Sequence, residues 1–384
     1  MTTQIDTTTN SQKPRLLYID NLRILLTILV ILLHLSIGYG APGDWYYNED
    51  GQIGTISSIV MTLFVALNQA FFMGFFFMLS SYFSPGSLDR KGARSFLMER
   101  LKRLGIPMLF YSLVLNPLLE YALAVFRGFE GSFWQALREG YFRSIGVGPT
   151  WFVEALLLFA ILYVLWRRLK PSVPAHAEND VPGNGAIALF AFGLGFVTFV
   201  VRIWLPVGWW LEPLHFQLAH FPQYIALYIL GIIAYQRNWF GGLTEGQGRT
   251  WLWVTIGLII IFPILFVAGG ALQGNLDPFI GGLHWQSLAY SVWEEVMCMA
   301  VVVTLLVWFR NRFNNQGKLG RALSGAAYGT YIVHAPVITL LALVLSGIKV
   351  DLALKFVLVA PVAVAASFLV GYLAKKLPVA RGIL

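Results

Sequence analysis

The sequence predicts an all-α, polytopic membrane protein of about ten transmembrane helices with both termini cytoplasmic. Three observations carry that prediction. Of the 384 residues 57% are hydrophobic and only 12% are charged, roughly half the charged share of a soluble domain. Such a chain cannot build a polar shell, so lipid must be its solvent. Ten apolar runs approach the roughly 20 residues that span a bilayer. Lys and Arg then fall on one side: with the N-terminus inside, alternation puts 20 of the 27 in inner segments. Six (Arg127, Arg138, Arg143, Arg202, Lys349 and Lys355) fall in outer segments or span ends, and Arg23 lies inside the first span. One missed helix would reverse every later loop and erase that bias.

The elements follow in order. Residues 1–14 are polar and rich in Thr and Gln, and read as a disordered cytoplasmic tail. Residues 15–376 form a single transmembrane domain, and 377–384 a cytoplasmic C-terminal tail. The first run, 16–38, is followed by Gly38, Gly40 and Ala41 as a signal peptide would be, but it holds Asp20 and Arg23 and precedes nine more runs, so it reads as a retained helix. The run at 53–83 is too long for one straight span and is expected to begin as an interfacial segment. A basic inner loop precedes the third run, 104–126. The fourth, 151–169, ends in Arg167, Arg168 and Lys170. The stretch 171–184, with Pro171, Pro174, Pro182 and Gly183, reads as a flexible linker. Runs at 185–205, 222–237 (short), 251–269, 285–309, 323–346 and 352–375 complete the set. The net charge of +8 is explained by this topology, so the expected partner is membrane lipid and not nucleic acid. Cys298 stands alone within an apolar run, which excludes an intrachain disulfide and a Cys metal site.

Ionisable groups inside spans are costly, so each is a functional candidate. Arg23 and His34 are eleven residues apart, on one face of the first helix and separated by about 16 Å along it. Asp20 is placed to pair with Arg23, and the two fit a snorkelling interface pair equally well. His34 sits in the outer half, where packing would favour Leu or Ile; a neutral imidazole there has the pKa of a general base. Arg100 and Arg103, three apart, would share a helix face at the cytoplasmic surface, as topology charges or as a clamp for the phosphates of a polyanionic ligand. Glu154, the adjacent Glu294 and Glu295, and His334 two residues before Pro336 are the other intramembrane polar groups. Adjacent glutamates point in different directions, so at most one of that pair would line a central site. His176, His215, His220 and His284 fall in loops or at interfaces, and His215 and His220 are five apart, not the four of a helical ligand pair, so no metal site is expected. No phosphate-binding Gly-rich loop with a lysine and no nucleophile elbow is evident. By composition an exporter of a polar metabolite or glycan precursor fits equally well. A basic clamp on one side, a lone His on the other and no visible inverted repeat argue against it.

The chain resembles the membrane acyltransferase-3 family. The resemblance is carried by Ile19-Asp20-Asn21-Leu22-Arg23 with His34 after ten intervening residues; Phe75-Phe76-Phe77-Met78-Leu79-Ser80-Ser81-Tyr82; Arg100-Leu101-Lys102-Arg103-Leu104-Gly105-Ile106-Pro107; Trp151-Phe152; and Tyr328-Gly329-Thr330-Tyr331-Ile332-Val333-His334. It implies an acyltransferase with His34 as catalytic base, Arg23 as its essential companion, and Arg100 and Arg103 holding an acyl-CoA donor. No permanently bound cofactor is implied. The acceptor would be a hydroxyl of a glycan or similar molecule, the acyl group acetyl or succinyl, and the location a bacterial inner membrane. Asp20, Trp151, Glu154, Glu294, Tyr331 and His334 are candidates for supporting roles or for the acceptor side, with Trp151 suited to stack on a sugar ring. A succinyl donor would call for an extra cation near the site, with Arg202 the candidate. Ser81 stands where the family usually has Gly, which argues against a close backbone approach there. Glu154 replaces an expected apolar residue, as a subgroup with its own acceptor would.

Overall fold

The computed structural model describes residues 15–170, 181–274 and 276–383; the 1–14 tail and most of the 171–184 linker, with His176, lie outside the described residues. Among the described residues the regular structure is helical, with one isolated bridge between Leu211 and Phe216. Ten helices are long and apolar enough to cross a membrane. In chain order the helices are α1 (Leu17–Gly38), α2 (Thr55–Tyr82), α3 (Ser84–Phe126), α4 (Phe133–Ser144), α5 (Trp151–Leu169), α6 (Asn184–Trp204), α7 (Phe221–Gln236), α8 (Glu245–Ala268), α9 (Trp285–Arg312), α10 (Lys318–Leu345) and α11 (Leu352–Lys376). All but α4 are spans.

Residues 55–82 form one continuous helix of 28 residues, so an interfacial start would be the first turns of that same helix. At 1.5 Å per residue the whole helix is about 42 Å, which a tilted span accommodates. One sequence expectation is corrected here: the basic stretch expected as a loop before the third span is itself helical and runs straight into it as α3. Two features bend this long helix. Gly92 has φ 75°, a conformation that favours Gly, and kinks the first segment. Further on, π turns at Leu101–Gly105 and Tyr111–Leu115 each precede a proline, Pro107 and Pro117. A proline gives no N–H to the carbonyl four residues back and crowds it; a wider turn relieves the crowding. For Pro107 that carbonyl belongs to Arg103, and the Tyr328 hydroxyl of α10 takes it at 2.7 Å. In hydrocarbon such a substitute donor is required.

Helix α9 is the axle of the bundle, with 72% of its apolar window buried, against α6, α8, α2 and α1. The α8 window is 11% buried and faces lipid. Helices α1, α10 and α11 pack as a second group with their own apolar core. Close helix pairs meet at small residues. A Cβ at Gly371 of α11 would fall 2.5 Å from the Thr330 backbone nitrogen of α10. A Cβ at Gly231 of α7 would fall 2.3 Å from the Met78 carbonyl and 2.0 Å from Ser81 Oγ of α2. The backbone approach at Ser81 therefore does occur, and the facing helix supplies the glycine.

An even number of spans brings both chain ends to one face, called here the terminal face. The 313–317 connection closes it over α1: Asn21 Nδ2 donates to the Phe313 and Asn315 carbonyls at 2.6 and 3.0 Å, and Gln316 donates to Asn21 Oδ1 at 2.8 Å. On the opposite face Lys355, at the start of α11, is buried against Glu49 of the α1–α2 connection, with Nζ 2.6 and 2.7 Å from the two carboxylate oxygens. The carbonyls of Leu345 and Ile348 complete its coordination at 2.7 and 3.0 Å.

Gly231→Ala is expected to destabilise the protein by about 1–3 kcal/mol, because the methyl group must displace a backbone carbonyl. Gly257→Ala in α8, where a Cβ meets nothing within 4 Å, is expected to leave stability unchanged or slightly raised. Thermal unfolding of the two variants in detergent checks the contrast.

Candidate active site

Helices α1 and α10 bring His34 and His334 together, 300 residues apart in sequence. His34 Nδ1 lies 3.0 Å from His334 Nε2, and the rings are stacked at 5.1 Å. His334 is fully buried, and its Nδ1 lies 2.5 Å from the Tyr331 carbonyl oxygen. A carbonyl can only accept, so His334 carries its proton on Nδ1 and its Nε2 is a lone pair. His34 must then donate through Nδ1–H, which leaves His34 Nε2 as the basic nitrogen of the pair. Trp45 lies flat on one face of His34, with ring centroids 4.0 Å apart and 14° between planes, and its centroid is 6.2 Å from that of His334. That π-face favours an imidazolium if His34 takes up a proton.

The wall beside Trp45 is built from the α1–α2 connection, α3 and the turn before α5. Tyr46 donates to Asn116 Oδ1 at 2.5 Å, and with its only proton committed there it accepts from the Tyr111 hydroxyl at 2.9 Å. Burial pushes the Tyr46 hydroxyl up to about 12, so it stays a neutral donor. Gly148 has φ +44° and sits directly on these hydroxyls; a Cβ would fall 2.3 Å from Tyr46 Oη. Tyr331 donates to the Pro149 carbonyl next to it, so its hydroxyl is engaged in closing the wall. Sequence reasoning missed Trp45, Tyr46, Tyr111 and Asn116. The signal available was the aromatic run Trp45-Tyr46-Tyr47 immediately after the span that carries His34.

Near the terminal face the structure groups Arg23 with Arg100. Arg23 Nη1 is 3.4 Å from Asp20 Oδ1, and its guanidinium lies over the Phe83 ring at 5.1 Å. Asp20 is shared with Arg15 at 2.6 Å. Arg100 donates to Ser84 Oγ at 3.3 Å and lies over Phe96. It is near enough to Arg23 for the two charges to repel. Arg103 departs from this group. Its side chain is 57% exposed and pairs with Glu99 at 3.5 Å. Arg103 is still near enough to Arg100 for their charges to repel, so the two differ in exposure: Arg100 is partly buried and Arg103 lies at the surface.

Arg202 of α6 belongs to a separate buried network. Its guanidinium is fully enclosed, 2.5 Å from Glu294 Oε2, with Ser291 Oγ and the Ala219 carbonyl each at 3.2 Å. His220, expected in a loop or at an interface, is buried here against Glu294 at 3.2 Å. Glu295 accepts from Thr198 and from Gln223, both at 2.9 Å. Both glutamates thus join one network, and Arg202 is engaged by Glu294 instead of facing an acyl group. Trp151 is stacked on Tyr224 at 5.6 Å. Glu154, one turn along α5, has one carboxylate oxygen buried without a hydrogen-bond partner among the described residues.

The acyltransferase-3 family, described as an acyltransferase domain, matches residues 16–375, and the chain belongs to it. Among curated proteins it is similar to "Glucans biosynthesis protein C" of Escherichia coli K12, 23% identical over 333 residues, which is 83% of this chain and 81% of that protein. The protein of the same name from Salmonella gallinarum is 29% identical over 187 residues, 48% of this chain and 46% of that protein. The chain thus spans about half the length of that Salmonella relative. That from Salmonella schwarzengrund is 25% identical over 233 residues, 58% and 59% of the two chains. No solved structure is a significant match.

The Arg202–Glu294 network is expected to serve stability. Glu294→Leu alone leaves a buried guanidinium unpaired and should cost about 3–5 kcal/mol, whereas Arg202→Met combined with Glu294→Leu should recover most of it. Thermal unfolding measures the recovery. A double variant that folds but has lost acyl transfer would show that the network serves the reaction.

Proposed function

We propose that this member of the acyltransferase-3 family carries an acetyl or succinyl group from cytoplasmic acyl-CoA to a hydroxyl of an extracytoplasmic glycan, with His34 as general base. The membrane acyltransferase assignment follows from the family and the ten spans. The donor, the acceptor, the base and the orientation in a bacterial inner membrane with both termini cytoplasmic are this proposal. The observation that carries it is the free lone pair on His34 Nε2, imposed by the chain from the Tyr331 carbonyl through His334.

The donor's phosphates meet the terminal face, where Arg23, held by Asp20, and Arg100, donating to Ser84, present two guanidinium groups. Arg103 adds charge at the exposed rim. The pantetheine arm extends along α1 from the Arg23 level to the His34 level, about 16 Å by helical rise. His34 Nε2 takes the proton of the acceptor hydroxyl as its oxygen attacks the thioester carbonyl. The C–S bond breaks, and the CoA thiolate takes that proton back from His34. Through the transfer His34 Nδ1–H stays on His334 Nε2, which fixes the ring and stabilises the imidazolium. Asp20 holds Arg23, and His334 acts through His34.

His34→Ala is expected to reduce acyl transfer in membranes by about 10²–10⁴-fold, and near-normal activity at normal expression would refute the assignment. His334→Gln, which keeps an acceptor towards His34, should retain more activity than His334→Leu. For the donor side, Arg100→Ala should raise the KM for acyl-CoA roughly tenfold or more with a smaller change in kcat. Arg103→Ala should raise it less, since that side chain is exposed and already paired. Equal donor KM values for wild type and Arg100→Ala would remove Arg100 from the donor site.

A further inference from the structure

On the His34 face, helix α3 continues past Asn116 and α4 folds back beside it. Each presents a stripe at helical spacing: Pro117, Glu120, Tyr121 and Ala124 on α3, and Phe133, Ala136, Leu137 and Gly140 on α4. Two such stripes normally close on each other. Here the small residues Ala124, Ala136 and Gly140 leave a cleft of about 230 Å³ between them. The cleft has one carboxyl group, Glu120. It is partly buried, among the described residues no hydrogen-bond donor reaches its carboxylate, and Arg127 further along α3 is near enough to attract it. A carboxylate in a mostly apolar cleft is costly unless donors arrive from elsewhere. Tyr121 is held rigid beside it, its hydroxyl donating to the Gly131 carbonyl at 3.3 Å and its ring set edge-on to Phe133 at 5.3 Å.

The cleft adjoins the wall of the His34 site. Glu120 lies one helical turn beyond Asn116 on α3. Asn116 holds Tyr46 at 2.5 Å, Tyr46 meets Trp45 edge-on at 5.2 Å, and Trp45 covers His34 at 4.0 Å.

We propose that the α3–α4 cleft is the acceptor subsite and takes an uncharged saccharide, its hydroxyls donating to Glu120 and its C–H face lying on Tyr121 and Phe133. This rests on the acyltransferase reading and names the acceptor's place in it. A carboxylate accepts two donors at once, as adjacent sugar hydroxyls supply. Aromatic and small aliphatic walls suit the apolar face of a pyranose. A lipid chain would satisfy the walls but leave the carboxylate without donors.

The test uses the full-length protein in membranes, acetyl-CoA and succinyl-CoA as donors, and a linear glucose oligosaccharide as acceptor. Glu120→Ala is expected to raise the acceptor KM about tenfold or more, with the effect falling on the acceptor KM and not on the donor KM. Glu120→Gln, which keeps an acceptor oxygen, should fall between. Leu137→Trp, which fills the cleft from α4, should raise the acceptor KM as well and guards against misfolding of the Glu120 variants. Unchanged acceptor KM in correctly inserted Glu120→Ala and Leu137→Trp proteins overturns the subsite. Transfer to a glucosamine oligosaccharide in preference to glucose, lost in Glu120→Gln, overturns the uncharged occupant in favour of an amine. Wild-type protein that cleaves acyl-CoA but never acylates the oligosaccharide overturns the saccharide assignment while the donor half stands. Wild-type protein that neither binds nor cleaves acyl-CoA overturns the acyltransferase reading and this subsite together.

Discussion

Hydrocarbon offers no hydrogen bonds, and most of this structure is arranged around that fact. Each buried charge on the periphery of the reaction path is closed within the protein. Arg202 has Glu294, a serine hydroxyl and a backbone carbonyl. Lys355 has both oxygens of Glu49 and two helix-end carbonyls. The same requirement reaches the backbone, where Pro107 deprives the Arg103 carbonyl of its helical donor and Tyr328 replaces it. These pairings tie α6 to α9, α11 to the α1–α2 connection, and α3 to α10. They do structurally what apolar burial does in water, because lipid gives helices little reason to prefer one another.

Against that background the incompletely satisfied groups stand out. At one face Arg23 shares its carboxylate with Arg15, and Arg100 donates only to a serine hydroxyl among the described residues. His34 keeps one nitrogen free at the other level. Glu120 lines a cleft without a described donor. All three are reached from α1 or α3, the two helices that the α1–α2 connection and Trp45 link to each other. The proposed transfer across the bilayer calls for such a set: an anion site on one side, a base in between, and donors or acceptors for the second substrate on the other.

The two histidines illustrate how packing becomes chemistry. His334 looks like a helix-interior histidine near a proline, and its contact with the Tyr331 carbonyl is a local one. Because that contact fixes its tautomer, it also decides which nitrogen of His34 is basic. The stack with Trp45 then fixes the ring plane. Small residues make the geometry possible: Gly148 lies against Tyr46 and Tyr111, and Gly231 and Gly371 let neighbouring helices approach.

Composition, apolar run length and the bias of Lys and Arg determined the fold class and the number of spans, because a bilayer constrains sequence so directly. Spacing along α1 also placed Arg23 and His34 on one face at different levels, since a regular helix has a fixed rise and turn. Spacing failed where the helix is irregular: it did not show that Arg100 would be partly buried and Arg103 exposed where a π turn begins between them, nor that the run at 84–103 is helix instead of loop. It could not find the partners either. His34 with His334, Arg202 with His220 and Glu294, and Lys355 with Glu49 are separated by up to 306 residues. No local pattern encodes such meetings; they exist only once the helices have chosen their neighbours. That choice, made by small-residue contacts and by the need to close every buried charge, is what the tertiary structure alone decided.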